Sequence, residues 1–343
     1  MAISAVEAIS PAIQRTKQLL FHPFRLSTYL KLCLVALLTE GFSSNFRSWS
    51  HGHEAHEGPI LLSSFNFTSI RIAAVVAMVL LVIVIALAIG YLITRLRFAF
   101  FHCLVHNTQQ LRPGWNLYRA QAARFFQMNI AIGVFLILLI VVVAIPFVAG
   151  FLHLWHRYVK TGQLDWGLTA SLILPIIPLI LLILLVGFTA DIVLRDFMLP
   201  HYALDNATAG EAWHAAWQRI RAEKGMFFGY ALLRIVLPVV GVVLLFALFL
   251  IPAILFVAVF AFMGYGVHTA LADATGVAAF LRVSLEVLIG LVAFTLAALF
   301  SIAFGGPLST AIREYALLFY AGRYPTLARV LFPPPAAPPP TTA

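Results

Sequence analysis

Charged side chains are scarce in this sequence. Asp, Glu, Lys and Arg together make up 10% of the 343 residues, whereas an ordinary soluble domain carries about 25%. Hydrophobic residues make up 62%, against about 45–50% in such a domain. These two departures exclude a soluble globular enzyme, a disordered chain and a coiled coil. They indicate an all-α polytopic membrane protein, because a helix satisfies its own backbone hydrogen bonds in lipid.

The chain also lacks the residue patterns of common chemistries. Its two cysteines, Cys33 and Cys103, lie in or near apolar segments without C-x-x-C spacing, which argues against a disulfide framework. Glycine-rich phosphate-binding loops, an H-E-x-x-H zinc motif and a Ser/His/Asp arrangement are absent from the sequence. We therefore expect no cofactor, and we favour a non-enzymatic protein, although the enzyme class stays open.

Long apolar runs are present instead. A spanning helix needs about 20 mostly apolar residues, and we predict about six spans: 26–42, 72–94, 127–152, 168–190, 226–250 and 283–304. The first is short enough to be a marginal or re-entrant segment. Ile251-Pro252 is expected to break the fifth, so that 251–267 is a non-spanning or re-entrant insertion. Gly305-Gly306-Pro307 is expected to end the last span, and the Pro-rich residues 331–343 predict a disordered tail.

Amphipathic interfacial helices are predicted between these spans. Residues 11–20 form one, with Ser10 as its N-cap and Pro11 at its first position. Thr208 and Glu211 have the spacing of a capping box at the start of another.

Arginine and aromatic residues recur with a common spacing. Arg195 and Trp213 are separated by the same number of residues as Arg97 and Trp115, and Arg313 begins a partial third copy. This pattern predicts a single transmembrane domain over 1–330 with pseudo-repeats near 11–95, 113–195 and 209–313. The alternative is that arginine and aromatic residues simply cluster at membrane interfaces.

Basic residues are distributed unevenly between the two predicted sides of the membrane. Fifteen of the 22 Lys and Arg residues lie on the side that carries the arginine–aromatic segments, and five lie on the other. Because positive charge is enriched in cytoplasmic loops, we expect both termini to be cytoplasmic. The net charge of +9 predicts anionic lipid headgroups as partners, and no nucleic acid.

Six residues are candidate functional positions. Asp191, Arg234 and Glu286 are ionisable groups in or near spans, where such groups are costly and often functional. We predict an ion pair between Asp191 and Arg234, unless both snorkel to the interface. The other three form the pattern H-x-H-x-x-H in a polar loop: His51, His53 and His56. Histidines are common metal ligands, but this spacing matches no known signature, and a solvated loop is the alternative.

Four segments together resemble a family of uncharacterised bacterial multi-pass membrane proteins: RTKQLLFHPFRLSTYLKLCLV, RLRFAFFHCL…RPGWNLYRAQAARFF, RDFMLPHYALDNATAGEAWHAAWQRIRAEKGMFFGYALL and REYALLFYAGRYP. These proteins look distantly similar to the membrane domain fused to some glycerophosphoryl diester phosphodiesterases. The resemblance covers about 11–325 and implies a bacterial inner-membrane protein. It implies no hydrolase activity and supplies no functional residues.

Two functions are compatible with these observations. The first is a non-enzymatic protein that binds lipid or organises membrane partners, which the basic, Trp-rich interfacial helices favour. The second is a small-solute or lipid transporter or channel that uses Asp191, Arg234 and Glu286. A homo-oligomer or a membrane partner protein is possible under either hypothesis.

Overall fold

The computed structural model describes residues 4–41, 69–162, 166–272 and 275–332, and every regular element in these ranges is helical. The predicted all-α class is therefore confirmed. The α-helices are α1 Ile9–Phe21, α2 Leu26–Ala36, α3 Ser69–His106, α4 Leu111–Leu117, α5 Arg119–Thr161, α6 Trp166–Ile192, α7 Leu199–Leu204, α8 Ala209–Ala222, α9 Lys224–Ala270, α10 Val277–Ala321 and α11 Pro325–Leu331. Two π-helical segments, π1 Leu37–Gly41 and π2 Val193–Met198, extend α2 and α6.

Five of these helices, α3, α5, α6, α9 and α10, are long and apolar enough to cross a membrane. In each of them the most apolar window contains no buried residue. Apolar side chains that cover no protein core require lipid around them, so the chain is a membrane protein.

The predicted first span, 26–42, is the exception. It forms α2 with 11 residues and π1 with five, which together rise only about 24 Å, less than the roughly 30 Å of a bilayer core. This segment packs along α10 instead.

Two predicted helix breaks are wrong. α9 runs through Pro252 as one helix of 47 residues, and α10 runs through Gly305, Gly306 and Pro307 as one helix of 45 residues. A proline removes one backbone hydrogen bond, but its fixed φ is helical, and such a loss is tolerated in membrane helices. The residues predicted as a re-entrant insertion therefore continue the helix.

The start of α1 also differs from its prediction. Ser10 is not the N-cap, because the helix already begins at Ile9. The backbone N–H of Ser4 donates to Glu7 Oε2 at 2.9 Å, and the N–H of Glu7 donates to Ser4 Oγ at 3.2 Å. This reciprocal pair forms the turn that leads into α1.

The chain divides into two compact units. The terminal unit contains Met1–Val82, Ala99–Gly114 and Glu223–Ala343, and the central unit contains Ile83–Phe98 and Trp115–Ala222.

In the terminal unit, the buried core surrounds the second half of α10. The ring of Tyr230 from α9 stacks between those of Tyr315 and Phe319, at centroid distances of 5.4 and 4.4 Å. On another side, α1 and α2 pack against α10. The buried thiol of Cys33 faces Gly306 there.

In the central unit, the core forms where α5 meets the region of π2 and α7. The ring of Phe125 packs edge-on against those of Phe98 and Tyr202, at 5.6 and 5.3 Å. All six residues of π2 are buried. The amphipathic helix α8 packs on π2, and its buried residues are Ala212 and Ala216.

Candidate functional site

The terminal unit contains a deeply buried ion pair. Arg15 of α1 donates from Nε to Glu314 Oε2 of α10 at 3.2 Å, and the Glu314 side chain is 1% exposed. The same guanidinium donates to the carbonyl oxygens of Leu104 and Leu331. One arginine therefore joins α1, α3, α10 and the end of α11.

A second ionic cluster in this unit centres on Glu40 of π1. Its Oε2 accepts from Arg234 of α9 at 3.0 Å, and its Oε1 lies 3.9 Å from Nε of Arg313 of α10. All three side chains are largely buried. Arg234, predicted as a functional position, thus lies at the junction of π1, α9 and α10.

The central unit has an ion pair of its own at the end of α6. Asp191 accepts from Nη1 of Arg195 at 3.0 Å. Arg195 is buried in π2 together with Asp196. The sequence predicted that Asp191 pairs with Arg234. In the structure, Asp191 binds Arg195, and Arg234 binds Glu40. The Asp191–Arg234 pair stays a prediction.

Glu286 lies near the opposite end of α10 from Arg313. It accepts from His268 of α9 at 3.1 Å and lies 3.7 Å from Arg282. Roughly 27 residues of helix separate Glu286 from Arg313, a rise of about 40 Å. A bilayer including its headgroup regions is about 40–45 Å thick. The separation of the two ion-pair clusters along α10 is therefore comparable to the thickness of a bilayer with its headgroups.

The three histidines His51, His53 and His56 lie outside the described residues, as do residues 333–343 of the predicted tail. Within the described ranges, no group of three or more His, Cys, Asp or Glu side chains is placed to hold a metal ion. The metal hypothesis for the histidine loop therefore stays a prediction.

The exposed side of α8 carries a surface that we call the Trp–Arg face, formed by Trp213, Trp217 and Arg221. The two indoles stack with centroids 5.8 Å apart and planes within 10°, although both are substantially exposed, at 49% and 38%. The guanidinium of Arg221 lies over the Trp217 ring at 5.1 Å. Because the buried residues of α8 are alanines, the two indoles and the Arg221 guanidinium lie on the outward side of the helix.

Arg219 lies on a different side of α8 from the Trp–Arg face. Its Nη1 donates to Nε2 of the buried His201 at 3.2 Å, and the other ring nitrogen of His201, Nδ1, lies 2.9 Å from Asp205 Oδ2. Sequence reasoning missed this triad. The i,i+4 spacing of His201 and Asp205 was a visible signal, but a contact from α8 could not be read from spacing.

An arginine also lies over Trp115, a residue of the short helix α4. The guanidinium of Arg95 is 4.0 Å from the ring centroid of Trp115, and its Nη2 donates to the Trp115 carbonyl oxygen at 2.9 Å. Arg95 is fixed by this backbone contact, whereas Arg221 reaches along the exposed side of α8.

The capping box predicted at α8 is confirmed. The backbone N–H of Thr208 donates to Glu211 Oε2 at 2.8 Å, and the N–H of Glu211 faces Thr208 Oγ1 at 3.5 Å. The hydrogen bonds from Thr208 lower the pKa of Glu211 below its usual value. The contribution of this cap to the stability of α8 is therefore fully present above the usual pKa of a glutamate. It is lost as the pH falls through the lowered pKa of Glu211.

Replacing Thr208 with alanine is expected to loosen the first turn of α8. The substitution removes the hydroxyl that caps the helix, so amide exchange in residues 209–212 should become several-fold faster while α5 exchanges as before. Hydrogen exchange read by mass spectrometry measures both. Unchanged exchange at 209–212 would show that tertiary packing, rather than the cap, holds this turn.

The model of a family of unknown function, DUF7544, matches residues 3–330. No curated protein and no solved structure matches the chain. The resemblance to a family of uncharacterised proteins is thus supported, whereas no link to glycerophosphoryl diester phosphodiesterases is shown.

Proposed function

The chain belongs to the family of unknown function DUF7544, and we propose that it is a non-enzymatic membrane protein that binds anionic lipid headgroups through α8. The observation that carries this proposal is the Trp–Arg face. On a surface that faces water, two stacked indoles would remain solvated. At the level of lipid headgroups, by contrast, tryptophan is enriched.

The chemistry of the Trp–Arg face fits a phosphate-bearing headgroup. Indoles bury their apolar rings at the boundary between headgroups and acyl chains while the N–H stays near water. Arg221 then offers a planar set of donors that matches phosphate oxygens. Stacking on Trp217 keeps this guanidinium beside the ring, so less conformational entropy is lost on binding.

We further propose that the α8 end of the central unit faces the cytoplasm in a bacterial inner membrane, with both termini on that side. The excess of basic residues supports this orientation. The Arg15 contacts with Glu314 and Leu331 support it as well, because they bring α1 to the same end of the terminal unit as α11. Transport through Asp191, Arg234 and Glu286 has no observation of its own in its favour and stays an alternative.

Lipid preference at the Trp–Arg face can be measured by fluorescence quenching. In a variant with Phe at positions 49, 115, 155 and 166, Trp213 and Trp217 are the only tryptophans. Reconstitution with brominated phosphatidylglycerol or brominated phosphatidylcholine then reports which lipid contacts them. We expect a several-fold preference for phosphatidylglycerol. Replacing Arg221 with glutamine should reduce this preference about fivefold, since one basic residue near an anionic surface contributes roughly 1 kcal/mol.

The matched control is Lys160→Gln, which removes the same charge from the far end of α5, where Lys160 is exposed. It should leave the quenching preference unchanged. Equal quenching by the two lipids in the parent variant, or an unchanged preference after Arg221→Gln, would refute the proposal.

A further inference from the structure

His201 links the buried core of the central unit to α8. The residue lies in α7, which packs on π2 and α5, while α8 packs on π2. The imidazole is buried. Both of its nitrogens have charged neighbours on different elements, Asp205 just after α7 and Arg219 on α8.

The geometry defines the protonation state of this imidazole. An arginine guanidinium is always a donor, so the 3.2 Å contact from Arg219 requires Nε2 of His201 to be an acceptor. The ring proton then resides on Nδ1 and is donated to Asp205 at 2.9 Å. The neutral ring satisfies both contacts, whereas a doubly protonated ring would turn an N–H and a positive charge toward Arg219.

We propose that protonation of His201 releases α8 and thereby regulates the Trp–Arg face by pH. Asp205 accepts from Nδ1 in both states, so the added proton falls on Nε2, which faces Arg219. Other charged side chains on the elements packed against α7 include Arg195 and Asp196 of π2, both buried, and Arg124 of α5, which donates to Asn206. Asp191 of α6 pairs with Arg195.

Few buried apolar groups attach α8 to the rest of the central unit, so its docking depends in part on the Arg219–His201 contact. Its buried apolar residues are Ala212 and Ala216, which bury far less apolar surface than leucine or phenylalanine would. Arg219 is half-buried and also donates to the Ala215 carbonyl within α8 at 2.8 Å. A lost Arg219–His201 hydrogen bond therefore removes one of the contacts that hold the helix to π2 and α7.

This regulation rests on the proposed function, because α8 carries the Trp–Arg face. At neutral pH the docked helix holds Trp213, Trp217 and Arg221 in one orientation. In acid the released helix loses that orientation, so its affinity for anionic headgroups falls. The α8 capping box does not produce this effect, because the lowered pKa of Glu211 keeps its carboxylate ionised near pH 5.

The test is amide hydrogen exchange of α8 in nanodiscs of phosphatidylcholine, at about pH 7.5 and in steps down to about pH 5, the range over which histidine ordinarily titrates. Burial, together with the charge of Arg219, lowers the pKa of His201, so the change is expected toward the acid end of this range. Labelling times are scaled for the intrinsic pH dependence of exchange. We expect exchange over 209–222 to become roughly tenfold faster in acid, as for the loss of one hydrogen bond to a charged group. Exchange in α5 should not change.

His201→Gln is the matched control, because an amide can accept from Arg219 but does not titrate. It should abolish the acid-induced change. Should this variant fail to fold, Arg219→Gln removes the repulsive charge and should abolish the change as well. Acid-independent exchange in the parent, or an acid response that survives in the folded glutamine variant, would overturn the proposal. Phosphatidylcholine carries no net charge, so this result is independent of anionic lipid binding, which the quenching experiment decides separately.

Discussion

Replacing Glu314 with alanine is expected to destabilise the terminal unit by about 3–5 kcal/mol, the usual cost of removing one partner from a buried ion pair. The carboxylate is almost completely buried, and its partner Arg15 comes from a helix 299 residues away along the chain. Without Glu314, the acceptors left for the guanidinium among the described residues would be the carbonyl oxygens of Leu104 and Leu331. The free energy of unfolding in mixed detergent micelles measures this loss.

Glu286→Ala is the matched control for this experiment. Its carboxylate is 33% exposed and pairs with a His268 side chain that is 60% exposed, so its loss should cost about 1 kcal/mol or less. A double variant, Arg15→Met with Glu314→Leu, should recover much of the lost stability, because replacing both partners with apolar side chains is often neutral. A Glu314→Ala effect no larger than that of the control would show that the buried pair does not stabilise the unit.

Replacing Gly306 with leucine is expected to push α2 away from α10. A Cβ atom at this position would lie 2.5 Å from the Cα of Cys33 and 2.7 Å from its Sγ. A backbone atom cannot move aside as a flexible side chain does, so we expect a loss of about 3 kcal/mol, at the upper end of overpacking costs. The buried thiol of Cys33 should then react with maleimide, which peptide-level mass spectrometry distinguishes from labelling of Cys103.

Gly290→Ala tests whether the effect depends on the site rather than on glycine itself. Gly290 lies on the same helix, and a Cβ there would meet nothing within 4 Å. Alanine in an open helical position should be neutral or stabilising by about 0.5–1 kcal/mol. Unreactive Cys33 in the Gly306→Leu variant would contradict the close approach of α2 to α10.

Features that depend on composition or on neighbouring residues could be predicted from the sequence. The membrane character follows from the scarcity of charge, since apolar helices need lipid when they bury nothing among themselves. Five of the six predicted spans coincide with long helices. The Thr208–Glu211 capping box was predictable for the same reason, because both of its hydrogen bonds join residues three positions apart.

Helix ends were harder to predict, because proline and glycine can either end a helix or lie within one. Pro252 was expected to break α9, yet a membrane helix tolerates the missing hydrogen bond. Gly306 was expected to end a helix, but it lies inside α10 at the point where α2 comes closest. The sequence pattern is the same whether the residue ends a helix or lies within one, and only the packing of neighbouring helices distinguishes the two cases.

By itself, the sequence determined the all-α membrane class, most of the apolar helices and the amphipathic character of α8, because each follows from local composition and periodicity. Only the tertiary structure decided which charges meet. Arg234 binds Glu40 at a separation of 194 residues, and Arg219 of α8 reaches His201 of α7. A buried charge needs a partner wherever the fold brings one within about 3–4 Å, and distance along the chain does not reveal which residue that is.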